Sequence, residues 1–168
     1  TLNSTKIKTY STSPLFFSES DNHNRLIIGY KDTSNYFEVY DISKTSSPLV
    51  GKFTIPDSVL TNPSAQSSYS VIEWADDNTH VLLNRNYGSG NEYIVLDTVD
   101  PTQSINLKSY QNSLKIDSVS LNNRKYNQFY LYSSSSKIVY QLNYSDSNSS
   151  ANQVLSNVFA FKDYTGNG

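Results

Sequence analysis

The sequence predicts an all-β fold: antiparallel four-stranded blades of a β-propeller, a partial ring of about three blades plus the start of a fourth, with a two-sheet β-sandwich as the alternative. Three observations predict it. Of 168 residues, 29 are Ser, 19 Asn and 12 Thr, small hydrogen-bonding residues that favour turns and compete with helical backbone pairing, whereas only four are Ala. Bulk is supplied by 14 Tyr, 7 Phe and 1 Trp, which suit strands and argue against a helical bundle. Finally, short β-branched and aromatic runs recur in the same order along the chain, separated by turn residues.

The first round, residues 14–55, has runs at 14–17, 25–30, 36–42 and 49–55, with turns at 21–24 and 32–35. The second, residues 69–107, has runs at 69–74, 80–85, 92–96 and 103–107, with turns at 76–78 and 88–91. The third, residues 114–155, has runs at 114–121, 128–132, 137–143 and 153–155, and a further unit opens at 158–168. All lie in one domain spanning 1–168, and the Pro-containing stretch 56–68 is expected to be a surface loop insert. Asp41, Asp97 and Asn143 fall at the same place in the three rounds, at the end of the third run. Connections of two to five residues suit hairpins, since parallel pairing would need a crossover of a dozen or more. Along residues 92–96, Ile94 and Leu96 share one face and Tyr93 and Val95 the other, so both faces are apolar and the strand should lie between two sheets. Phe17, Trp74, Ile94 and Leu96 are the expected structural core.

Composition narrows the function. A formal charge of −2, with Arg124-Lys125 the only adjacent basic pair, provides no stripe for a run of phosphates, so nucleic acid is not an expected partner. The uncharged run 58–72, as long as any in the chain, contains Asn62, Gln66 and five Ser and cannot cross a bilayer core. With no Cys there are no disulfides, thiol nucleophiles or zinc–thiolate clusters. Thr1 at the start and Gly-Asn-Gly at the end read as a piece of a longer protein.

Candidate chemistry is sparse. A Ser-His-Asp site needs a His between a nucleophile and an orienting carboxylate, and the chain offers only His23, in a polar turn, and His80, opening a strand behind Asp76 and Asp77. Gly88-Ser89-Gly90 lacks the spacing of a nucleophile elbow. Asp146 begins a calcium-loop-like run, but Ala151 and Asn157 stand where Gly and Glu belong. Asp76, Asn78 and His80 could converge on a cation, yet Asx side chains in turns usually bond their own backbone. Asp41 and Asp97 should share a rim; paired carboxylates about 5–10 Å apart serve glycoside hydrolysis, but a strand-terminal Asp followed by Ser43 or Thr98 more readily caps its turn. No catalytic, cofactor or metal-binding residue is assigned, and Asp41, Asp97, Asp76, Asp77 and His80 are the candidate rim or turn residues.

The run Ile72-Glu73-Trp74-Ala75-Asp76-Asp77-Asn78-Thr79-His80-Val81-Leu82-Leu83 resembles the aromatic, Ser-Pro-Asp-Gly-Lys, aliphatic-strand pattern of TolB and WD40-like bacterial propellers. Trp74 takes the aromatic place and Asp77 the turn Asp, while Asp76 replaces Pro and Asn78 replaces Gly. Tyr93-Ile94-Val95-Leu96-Asp97-Thr98 followed by Asp100-Pro101 is similar to propeller regions attached to PEGA domains of surface-anchored bacterial proteins. The resemblance implies an extracytoplasmic, membrane-anchored parent whose anchor lies outside this chain, and a binding or scaffolding role with no catalytic residue to carry over. Its partners would be a protein or a cell-surface glycan, and the open faces of an incomplete ring would favour self-association through Phe16, Phe17, Phe159 and Phe161. A hydrolase, or a carbohydrate-binding module using surface Tyr, is the alternative.

Overall fold

The computed structural model describes residues 9, 13–31, 34–44, 46, 48–88 and 90–161. Strands β1 (Phe16–Glu19), β2 (Arg25–Lys31), β3 (Asn35–Asp41) and β4 (Leu49–Phe53) form one sheet in sequence order. β5 (Ser67–Trp74), β6 (His80–Tyr87), β7 (Gly90–Asp97) and β8 (Ile105–Asn106) form a second. β9 (Ser118–Leu121), β10 (Gln128–Ser133), β11 (Ile138–Asn143) and β12 (Ala151–Leu155) form a third. Every pairing is antiparallel and no sheet closes on itself. The all-β expectation holds, and the strands divide among three sheets rather than the two of a sandwich.

The second sheet is the middle layer, as the two-faced pattern of β7 requires. Ile94 and Leu96 join Val81, Leu83 and Trp74 against Ile27, Phe37 and Val39 of the first sheet. Tyr93 and Val95, with Leu82, pack on the other side against Val119, Leu121, Phe129 and Leu131 of the third. Val95, Ile94 and Leu96 have no exposed surface, so period-two alternation along one strand serves two cores at once.

A bulge in β5 sets the position of Trp74. Val71 pairs with Leu83, but Glu73 pairs with Leu82 and Trp74 with Val81, so Ile72 is the extra residue. Skipping Ile72 puts Val71 and Trp74 on one face, although they are three apart. Period-two reading joins Trp74 to Ile72 instead; that is corrected by the bulge, which leaves Ile72 half exposed. Trp74 itself is buried, and its indole N–H donates to Ser18 Oγ of β1 at 3.2 Å.

Phe17 is not a core residue: it is 73% exposed. Its neighbour Phe16 lies over Gly29, where any Cβ would collide with the ring at 2.3 Å, and faces Phe37 at 6.1 Å between centroids. Alternation then sends Phe17 to the outer surface.

The connections between sheets depart most from expectation. None of residues 56–68 is buried, as a surface connection requires, but Val59 and Leu60 pack against the core between the first two sheets, which buries the preceding Ile55, and β5 begins at Ser67. Of residues 114–117, read as strand, Leu114 is instead the last residue of a short helix, α1 (Lys108–Leu114), ended by Lys115 in the left-handed conformation at φ 52, and the strand begins only at Ser118. Tyr110 and Ile116 are buried in the core between the second and third sheets. Both connections thus fill the margin between successive sheets. Residues 158–161 open no strand: Val158 C=O accepts from the Tyr132 hydroxyl at 2.9 Å, and Phe161 stacks on the Tyr132 ring, so the segment lies against the third sheet. Residues 162–168 and the 32–33 part of the β2–β3 turn lie outside the described residues.

Trp74→Ala is expected to cost about 3–5 kcal/mol, the range for deleting a buried large aromatic. Urea unfolding measures it, and a loss below about 1 kcal/mol would contradict the packing described.

Candidate functional site

The turns joining the first two strands of each sheet lie together. Arg124, in the β9–β10 turn, ion-pairs with Asp21 of the β1–β2 turn and lies 3.9 Å from Asp76 of the β5–β6 turn. Asp76 N–H also donates to Arg124 C=O at 3.0 Å. Asn123 and Arg124 both take positive φ, 51 and 55, which turns the Arg124 backbone toward the second sheet. A cleft of about 300 Å³ lies among Asp21, Asn22, Ala75, Asp76, Asn78 and Arg124.

The β5–β6 turn forms as its residues dictate. Asp77 Oδ1 accepts from the N–H groups of Thr79 (2.9 Å) and His80 (3.0 Å), an Asx-type turn. Asn78 adopts φ 59 where the resembled motif has Gly, a conformation Asn tolerates best among residues with a Cβ. His23 takes the equivalent position of the β1–β2 turn at φ 58, and its side chain pairs with Glu19 at 3.1 Å.

His80 is held on three sides. Its Nδ1 is 2.6 Å from Asp77 Oδ2, its Nε2 is 3.5 Å from Asp97 Oδ2, and its ring stacks on Tyr126 with centroids 3.9 Å apart at 9°. A general base would need one ring nitrogen free to face a nucleophile. Here a carboxylate lies beside each, so the arrangement acts as a clasp tying the β9–β10 turn to the second sheet. Burial raises the Asp77 pKa, but the Thr79 and His80 N–H donors and the His80 ring more than offset this, and the carboxyl sits below its ordinary value.

Asp41 and Asp97 end the third strands of their sheets, as expected, and each faces the first residue of the preceding strand: Arg25 opposite Asp41, His80 opposite Asp97. Both cap turns. Asp41 Oδ1 accepts from Ser43 N–H (3.2 Å) and Oγ (2.5 Å), while Arg25 and Lys44 each lie 3.3 Å from Oδ2. The Ser43 bond is the main reason that the Asp41 pKa is lowered; burial opposes it, and Lys44 and Arg25 add to it. Asp97 Oδ1 accepts from Val99 (2.8 Å) and Asp100 (2.9 Å) rather than from Thr98, whose hydroxyl donates to Thr79 C=O. Sequence reasoning missed Arg25, Arg124 and Tyr126. Arg25 was accessible, because it stands in the first round where His80 stands in the second. Arg124 and Tyr126 reach the rim by a turn conformation that no pattern announces.

Among the described residues no group of three or more His, Asp and Glu is arranged to hold a metal ion, and no helix is long and apolar enough to cross a membrane. A further cleft of about 590 Å³ lies away from the rim, between the 54–66 connection and the first sheet.

Carboxyls held below their ordinary value stabilise the fold fully above the unfolded-state value, and that contribution disappears as pH falls from about 3.9 through the folded-state value. The stability gap between wild type and Asp77→Asn should therefore narrow as pH falls below about 4, as read by urea melts. A gap unchanged down to pH 2 would contradict the clasp. Comparison with protein-family models, with curated proteins and with solved structures finds no match to this chain.

Proposed function

We propose that this chain is a β-propeller-type binding or scaffolding module without catalytic activity, part of a larger extracytoplasmic protein tethered at the bacterial cell surface. The observation that carries the reading is the repeated relation between successive sheets. Their first strands are neighbours: Trp74 of β5 bonds Ser18 of β1, and Glu73 of β5 accepts from Leu121 N–H of β9 at 2.5 Å. Their first turns meet at Arg124, and their fourth strands are followed by connections that fill the widening margin. Sheets related in this way behave as blades around an axis. The rim side chains support a non-catalytic role, since Asp41, Asp77, His80 and Asp97 are each engaged in holding a turn. The extracytoplasmic setting rests on the resemblance of residues 72–83 and 93–101 to TolB-like and PEGA-associated propellers.

Blades that do not close leave apolar surface at the outer sheets. Phe17 and Phe159 are 73% and 80% exposed, and Leu155 of the β12 edge 57%, each forfeiting about 1.5–3 kcal/mol of burial. The isolated chain is expected to self-associate, its mass by light scattering rising with concentration above 18.9 kDa, and Phe17→Ser with Phe159→Ser should restore the monomer. A strictly monomeric, folded species up to millimolar concentration would contradict the open-blade reading.

A further inference from the structure

The cleft beneath the 54–66 connection, about 590 Å³, plays no part in the rim. Asn35, Ser67 and Tyr69 line one side, and the connection supplies Asp57, Ser64 and Gln66. A second cleft of about 300 Å³ shares Lys31, Gln66 and Ser67 with the first and continues past Asn86 to Tyr87 and Gly88. The shared residues make the two adjoining halves of a trough where the first sheet meets the second. Resting on the binding-module reading above, we propose that this trough binds a linear, uncharged oligosaccharide.

The connection that walls the trough is fixed in advance. The Arg85 guanidinium donates to Thr61 C=O (2.7 Å) and Asn62 C=O (3.1 Å), while Glu92 accepts from Thr61 N–H (3.1 Å). Asn106 Nδ2 donates to Val59 C=O at 2.7 Å. Asn35 Nδ2 closes the floor by donating to Ser67 C=O and Oγ, both at 3.1 Å. A preformed wall and floor spare a ligand the cost of ordering them. Among the described residues, hydroxyl and amide side chains dominate the lining, with Tyr69 and Tyr87 and one charge of each sign, Lys31 and Asp57. That set offers donors and acceptors to a polyhydroxylated chain and, among the described residues, balanced charge. A peptide would fit less well. Lys31, Asn35 and Asn86 belong to strands interior to their sheets, and on β5, the edge strand that brings Ser67, Ser68 and Tyr69 to the trough, Ser67 C=O already accepts from Asn35 Nδ2.

The test is NMR titration of the intact chain with cellohexaose, xylohexaose, laminarihexaose and N-acetylchitohexaose, and with an uncharged extended hexapeptide. At least one hexasaccharide should shift the amides of 31, 34–35, 64–68 and 86–88 while leaving 76–80 and 124–126 unmoved, and its trimer should bind at least tenfold more weakly. Gln66 is exposed, so Gln66→Ala and the trough-filling Gln66→Trp should fold normally, weakening binding at least tenfold and abolishing it respectively. The proposal is overturned if none of the four sugars shifts these amides at millimolar concentration, if binding survives Gln66→Trp, or if the hexapeptide alone occupies the trough. Self-association that persists while the sugars fail would leave the module reading standing and remove only the glycan.

Discussion

The arrangement depends on one buried ion pair. Arg85 and Glu92 sit on neighbouring strands of the middle sheet, directly cross-paired, with no exposed side-chain surface and Nη1 to Oε1 at 2.5 Å. Removing two charges from water costs several kcal/mol per ion, and an isolated pair rarely recovers it. Here the pair is extended into a network. Thr61 C=O and N–H, Asn62 C=O and the Asn106 amide all bond to it, and the Tyr87 ring lies 4.7 Å from the guanidinium carbon. The pair decides where the 54–66 connection sits, and with it where Ile55, Val59 and Leu60 enter the core. Its contribution is thus to specificity of placement more than to raw stability.

From that placement the two ends of the molecule diverge in character. At one end, turn residues are consumed by one another: Asp77, His80, Asp97 and Tyr126 form a closed clasp, and Arg124 draws the turns of the other two sheets together. At the other, the docked connection stands off from the first sheet and leaves a polar trough. Clusters of ionisable residues drew attention in the sequence because catalysis uses such residues. In the fold they are the mortar between sheets.

Legibility in the sequence followed how local each determinant was. The two-faced pattern of β7, the shared strand-end position of Asp41 and Asp97, and the left-handed turn at Asn78 are settled by residues within a few positions, and each appears as read. Phe17 failed because its facing was decided by Gly29 across the strand pair, which admits Phe16 instead. Ile72 failed because a bulge breaks period two without any Gly or Pro to announce it. The anchoring of the 56–68 connection was not legible because its partners, Arg85 and Glu92, lie some 20 to 30 residues away in the chain, and a charged pair on a strand ordinarily reads as a solvated face. Helix α1 was hidden by Ser and Asn within Lys108–Leu114, residues that disfavour helix until Tyr110 and Gln111 are buried against the second sheet.

The central claim is that the Arg85–Glu92 network positions the 54–66 connection, and a double-mutant cycle with hydrogen exchange tests it most directly. Arg85→Met and Glu92→Leu should each cost about 3–5 kcal/mol, because each leaves one charge buried without its partner, while the double variant should cost far less than their sum. The amides of Val59, Leu60 and Thr61 should lose protection in both single variants ahead of those in β6 and β7. Additive costs, or single-variant losses below about 1 kcal/mol with protection of Val59, Leu60 and Thr61 unchanged, would contradict the account.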